Sequence, residues 1–234
     1  MKKTRELAEM ILFFCAFFLP GYLGQGAMVI PVTATNALMV QAILTGVPQF
    51  LLMAYVVIVA GSSPASRWGI VAFSSHDLLR TGMLIVGCFA VVTPFIALLV
   101  SLPPEVTRRL SRGFRWGLSS AAQVPLAVLF GLTAGYREEF FFRSYLLGRM
   151  EELGVPVPAA VAVSTALFCA GHLYEGLFAV GVTAALGLLL ASAWLRRRNL
   201  HIVAIAHGAY NTLVLCIGLM LPRGLPDPAG LHIF

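Results

Sequence analysis

Long apolar runs are the feature of this sequence that most limits how it can fold. Ala37–Ala60, Met83–Leu102 and Gly176–Leu195 each extend for close to the ~20 residues that a helix needs to cross the hydrocarbon core of a bilayer. Backbone polar groups find no water inside lipid, so helices are the natural spanning form. The period-two alternation that strands would require is absent. The balance of residues agrees: 59% are hydrophobic and only 11% charged, against about 25% charged in an ordinary soluble domain. The expected fold is therefore all-α, a polytopic transmembrane bundle of about seven or eight helices, some of them re-entrant or interfacial.

The net charge of +6 does not indicate nucleic acid. The basic residues fall between apolar runs, where the bias of cytoplasmic loops toward Lys and Arg would place them, and no basic surface carries interleaved aromatics. Cys15, Cys88, Cys169 and Cys216 are isolated within apolar runs. They imply no disulfide framework and read as small buried hydrophobes. Met1-Lys2-Lys3-Thr4-Arg5 ahead of Ile11–Leu19 resembles a signal peptide, but Glu6 and Glu9 interrupt the basic region. A first transmembrane helix with a cytoplasmic N-terminus fits better.

Spans are predicted at roughly 8–30, 37–60, 82–102, 119–150, 156–175, 176–195 and 199–221, the first and fourth broken by Gly or Pro. Gly61–Thr81 reads as a loop with a surface helix, and Pro103–Ser120, with Arg108, Arg109, Arg112 and Arg115, as a basic loop or interfacial helix. Three plain spans after a cytoplasmic N-terminus would put that basic segment outside, against the positive-inside tendency. Arg149 and Arg196–Arg198 fall on one side if two spans separate them. The chain divides into N-terminal helices and basic loop (1–118), a core (119–221) and a short Pro- and Gly-rich tail (222–234), expected to be unstructured.

The chemistry concentrates in the core. Tyr136-Arg137-Glu138-Glu139-Phe140-Phe141-Phe142-Arg143 sets two carboxylates into an apolar helix, and ionisable groups inside a membrane are functional-site hypotheses by default. Glu139 and Arg143 are i and i+4, acid first, and can pair. Glu138 points about 100° away and stays out of that pair. Arg137 lies about 100° round from it in turn, so Glu138 is expected among Phe140, Phe141 and Phe142 with His172 as its partner, unless a cation sits beside it. Phe168 and His172 share a face of one later helix. His207 and Asn211, again i and i+4, share a face of another. Each set alone is compatible with ordinary interhelical hydrogen bonding.

Counting at 1.5 Å per residue puts Glu138 and His172 both about 23 Å from the Gly154–Pro156 turn, and His207 about 13 Å from Arg198. An antiparallel arrangement brings Glu138, His172, His207 and Asn211 toward one buried spot, with a depth mismatch of about 10 Å for His207. No HExxH helix and no GxSxG elbow is present, and no Ser, Cys or Thr is tied to a His as a nucleophile. What remains is water activation by a carboxylate with a His partner and donors for an oxyanion, that is, hydrolysis.

Glu138-Glu139-xxx-Arg143, Phe168-xxx-His172 and His207-xxx-Asn211, in that order on successive membrane helices, resemble the CPBP family, the CaaX prenyl endopeptidase and bacteriocin-processing (Abi) proteins. The resemblance covers about residues 119–215. One departure is Ser144, where the family often has Gly. The resemblance implies an intramembrane endopeptidase in which Glu138 activates water with help from His172, His207 and Asn211 stabilise the oxyanion, and Glu139 and Arg143 position the site. Zn²⁺ held by Glu138, His172 and His207 with an open position is one option, and a metal-free glutamate mechanism uses the same residues. Asn211 suits an oxyanion donor better than a zinc ligand. The expected partners are membrane lipid and a membrane-anchored peptide or protein, in a bacterial-type plasma membrane. The alternative is a non-catalytic protein of the same fold that confers bacteriocin immunity. A transporter would show inverted repeats or matched broken helices, and the sequence has no internal repeat.

Overall fold

The computed structural model describes residues 2–23, 35–110, 117–217 and 219, and among these the regular structure is helical with no strand. The chain opens with α1 (Lys2–Phe17) and the short α2 (Leu19–Leu23), so the first expected span is broken near Phe18. Then come α3 (Thr35–Ala54), running on as a π-helix over Tyr55–Ala60, α4 (Ser75–Ser101) and α5 (Pro104–Leu110). A 3₁₀ turn at Ala121–Gln123 leads into α6 (Val124–Glu139). This helix continues without a break through a π-helical stretch, Phe140–Leu146, into α7 (Leu147–Glu152). The last elements are α8 (Val157–Ala170), α9 (Leu177–Arg197) and α10 (Leu200–Ile217).

Among the described residues, four helices are long and apolar enough to cross a membrane: Thr35–Ala60, Ser75–Ser101, Leu177–Arg197 and Leu200–Ile217. Their outward faces carry exposed Leu44, Leu51, Val59, Leu79, Val86, Leu98, Leu188 and Leu213, the lipid-facing side of a membrane protein. Of the seven expected spans, four are met by this measure among the described residues. α8 has 14 residues, or about 21 Å at the helical rise, short of the ~30 Å core. The unit from α6 to α7 carries Arg137, Glu138, Glu139, Arg143 and Arg149. α4 starts seven residues earlier than the apolar pattern suggests, because the Ser74 hydroxyl and the Asp77 carboxylate form a capping box that satisfies orphan N–H groups at the helix start. The surface helix expected between Gly61 and Thr81 is a single 3₁₀ turn, Ala65–Trp68. The expected tail, 222–234, lies outside the described residues, as do Arg112 and Arg115.

Two backbone hydrogen bonds define the ends of the bundle. Leu200 N–H donates to the Gly69 carbonyl at one end (2.8 Å), and Leu118 N–H to the Leu215 carbonyl at the other (3.3 Å). The first end holds an ion-pair lattice. Arg149 meets Glu9 (2.9 Å), Glu152 (3.0 Å) and Glu6 (3.7 Å). Arg198 meets Glu151 (2.5 Å), and Arg67 pairs with Glu152. The start of α1, the 61–74 loop, the 152–157 turn and the end of α9 thus lie together, as the shared side of Arg149 and Arg198 requires. α5 follows α4 at the opposite end, where the Thr107 hydroxyl donates to the Leu99 carbonyl. The basic segment that starts there does lie away from the Arg149 end.

The core positions the site through α6 and α10, which touch backbone to backbone. A Cβ on Gly131 would sit 2.4 Å from the Gly208 carbonyl oxygen, and one on Gly135 2.2 Å from that of Ala204. Small residues at this spacing let membrane helices approach closely without a hydrophobic driving force. Thr212, whose hydroxyl donates to the Ala127 carbonyl across the same seam (3.2 Å), pins the register. Of the four cysteines, Cys88 and Cys169 are buried as expected, but Cys15 is exposed on α1.

Candidate active site

Glu139 is fully buried at the end of α6, and its Oε1 is shared by two cations or donors. His207 Nδ1 of α10 lies 2.8 Å from it, and Arg143 Nη1 3.1 Å. The expected i,i+4 pair is therefore present, and His207 is an addition to it. The Arg143 contact is coulombic more than directed: Nη1 and Nε of Arg143 and Oε2 of Glu139 are buried without a hydrogen-bond partner. Arg143 Nη2 donates to the Gly187 carbonyl of α9 (3.4 Å), and the guanidinium lies 4.2 Å from the centre of the Phe168 ring. Phe168 also stands edge-on to His207, with centroids 5.9 Å apart. Its carbonyl accepts from His172 Nδ1 at 3.0 Å. One phenylalanine thus touches the guanidinium and both histidines.

These contacts assign the imidazole tautomers. Carbonyl oxygens only accept, so His172 carries its proton on Nδ1. Glu139 as a carboxylate likewise only accepts, so His207 Nδ1 donates. Each ring then has Nε2 left for the cavity that both line. That cavity, about 670 Å³, is also lined by Glu138, Asn211, Arg137, Tyr210 and Glu175. The π-helical stretch Phe140–Leu146 bonds i to i+5 and fits more residues into each turn, so Glu139 lies nearer the Arg149 end than a regular helix would place it.

Glu138 departs from expectation. Arg137 Nη2 donates to its Oε1 at 2.9 Å. The Arg137 guanidinium packs 5.3 Å from the Phe18 ring centre and also reaches Gln49 of α3. A long flexible side chain spans the 100° that helix geometry puts between neighbours. Arg137, His207 and His172 all stand close enough to act electrostatically on the Glu138 carboxyl. Of the three phenylalanines, all fully buried, Phe142 lines the cavity together with Glu138, whereas Phe140 packs against Phe50 and Phe141 against Phe18. Ser144 also has a use, since its hydroxyl donates to the Trp68 carbonyl at 2.7 Å and so ties the π stretch to the 61–74 loop.

Among the described residues, no group of three His, Cys, Asp or Glu side chains gathers in a way that could hold a metal ion. Glu138, His172 and His207 share a cavity without forming a ligand cluster, so the donor set does not fit Zn²⁺ in this arrangement. Residues that the motifs did not single out are Glu175, Tyr174 and Tyr210. The signal for Glu175 was an acid in the short Gly171–Gly176 link between two apolar helices.

Carboxylates, two open imidazoles and an amide thus line one cavity of this helical bundle. Residues 120–213, which contain all seven motif residues, match the family model described as type II CAAX prenyl endopeptidase Rce1-like. Over that segment, less than half of the chain, the sequence is similar to the CAAX protease family. Neither a curated protein nor a solved structure matches the chain.

Proposed function

We propose that this protein is an endopeptidase that hydrolyses membrane-anchored peptides or proteins with a water activated by Glu138. The observation that carries the reading is the shared cavity of Glu138, His172, His207 and Asn211, with Glu139 clamping His207 from behind. Glu138, ionised beside Arg137, takes a proton from water as its oxygen attacks the scissile carbonyl. The resulting oxyanion is met by the Asn211 amide N–H and by His207 Nε2–H in its imidazolium form, with Glu139 as counter-ion. The proton held by Glu138 then passes, directly or through His172 Nε2, to the leaving amine. Glu139 and Arg143 touch no substrate and act as positioning residues. No step is routed through a metal. A bacterial-type plasma membrane is the proposed location, with lipid around the bundle.

The test is cleavage of membrane-anchored peptides by the full chain in proteoliposomes, with Glu138→Gln as the control. Loss of turnover by on the order of 10² or more in the variant is expected for removal of a general base. Turnover at the wild-type rate by Glu138→Gln would overturn the mechanism.

A further inference from the structure

The charged side chains lining the cavity are Arg137, Glu138 and Glu175. Arg137 and Glu138 neutralise one another. Among the described residues Glu175 has no ion-pair partner, so it is the acidic side chain of the cavity wall that is left to meet a cation from outside. An ionisable group left this way in a membrane protein is costly unless something draws on it. We infer that Glu175 receives a basic side chain of the substrate, so that the enzyme prefers peptides with Lys or Arg close to the scissile bond. The inference rests on the endopeptidase reading above and names a substrate class for it.

Three observations shape this assignment. First, Glu175 is presented from the 3₁₀ turn Leu173–Glu175, immediately before α9. Arg197 lies at the far end of that helix, 21 residues along, about 31 Å away at the helical rise. The carboxylate therefore belongs to the end of the cavity away from the ion-pair lattice, and none of those arginines can serve it. Second, its neighbours are neutral hydroxyls. Tyr174 and the Tyr210 hydroxyl of α10 both stand close enough to Glu175 to interact with it electrostatically. Tyrosines fix a carboxylate in place and leave its charge intact, which is what an ammonium or guanidinium needs from its receptor. Third, Glu175 does not orient His172. The Nδ1 of that ring is taken by the Phe168 carbonyl, so the carboxylate has no duty in the catalytic set. The wall beyond it is apolar, with Phe178, Val182 and Phe89, which suits the aliphatic stem of a long basic side chain.

The experiment uses the full chain in proteoliposomes and membrane-anchored peptides that differ at one residue near the cleavage position, Lys, Gln or Glu. Wild type is expected to favour Lys over Glu by on the order of tenfold or more in kcat/KM, mostly through KM, as a charge pair in a poorly screened site should. Glu175→Gln should flatten the series, and Glu175→Arg should invert it so that the Glu peptide is preferred. A thermal melt of each variant checks that it is folded. A second arm measures equilibrium binding of the same fluorescent peptides to the Glu138→Gln protein, with and without Glu175→Gln. A Glu138-dependent cleavage with no charge preference, or a preference that survives both Glu175 changes, overturns the inference and leaves the protease reading standing. If no peptide is cleaved, the binding arm decides. A Lys preference lost with Glu175→Gln keeps the recognition site and removes the protease reading, and equal binding of all three peptides removes both.

Discussion

The adjacent glutamates illustrate how much one position in a helix decides. Glu139 is fully buried against Arg143 and His207, whereas Glu138 faces the cavity with Arg137 at its side. Breaking a buried pair leaves an uncompensated charge and costs about 3–5 kcal/mol. Glu139→Gln is therefore expected to lower the melting temperature in detergent sharply and to lose activity as a consequence. Glu138→Gln should melt close to wild type and lose only turnover. Equal melting temperatures for the two variants would contradict the division of labour. A further test concerns His172. His172→Gln keeps a polar side chain but cannot pass a proton to the leaving amine, so turnover should fall by on the order of 10², and turnover at the wild-type rate would remove His172 as the proton partner. The pairing of Glu139 with Arg143 was legible from i,i+4 spacing alone. The salt bridge from Arg137 to Glu138 was not, because sequence spacing gives the direction of Cβ and says nothing of where a four-bond side chain ends.

Among the elements, α6 and α10 do most to build the site, and their contact runs through Gly131, Gly135, Ala204 and Gly208. The glycines were visible in the sequence, but the partner of each was not, since nothing local tells which helix will come that close. Gly135→Val would place a branched side chain on the Ala204 carbonyl and drive the helices apart. Overpacking of this kind costs about 1–3 kcal/mol or more. It should also separate Glu139 from His207, so activity should fall further than the melt suggests. Gly154→Ala, at a turn with open space beside it but φ of +85°, should cost stability through backbone strain and leave kcat nearly unchanged. If Gly135→Val retains full turnover at a temperature where it is folded, the seam is not what sets the site. The π stretch at Phe140–Leu146 had no sequence signal. The apolar periodicity there reads the same for α and π, and only the packing of Phe140, Phe141 and Phe142 on three different neighbours selects it. The start of α4 could have been read from Ser74-x-x-Asp77, a capping pattern set among polar residues that otherwise suggest a loop.

At the scale of the whole molecule, the bundle has two chemically different ends. One carries Arg67, Arg149 and Arg198 paired with Glu6, Glu9, Glu151 and Glu152. The other brings the start of the core, at Leu118, against the end of α10. Fold class was legible from the apolar runs, because about 20 uncharged residues leave little choice in a bilayer. The number of spans was not, since α8 falls short of the bilayer thickness and the α6–α7 unit owes its apolar surroundings to its neighbours. The positive-inside rule assigns the arginine end to the cytoplasm, yet α5 starts a further basic segment at the opposite end. The orientation rule responds to Lys and Arg and hardly to Asp and Glu, so the ion pairs of the first end do not weaken its claim. Lys2, Lys3, Arg5, Arg67, Arg149 and Arg196–Arg198 outnumber Arg108, Arg109, Arg112 and Arg115. The Arg149 end is therefore the end expected in the cytoplasm. It can be tested in a cysteine-free background with single cysteines at Ser66 and Ala121, both exposed and at opposite ends. In right-side-out vesicles, a membrane-impermeant maleimide should label Ala121→Cys and leave Ser66→Cys unlabelled until the vesicles are opened. The reverse pattern would invert the orientation, and labelling of both in sealed vesicles would mean that the two ends do not lie on opposite sides of the membrane.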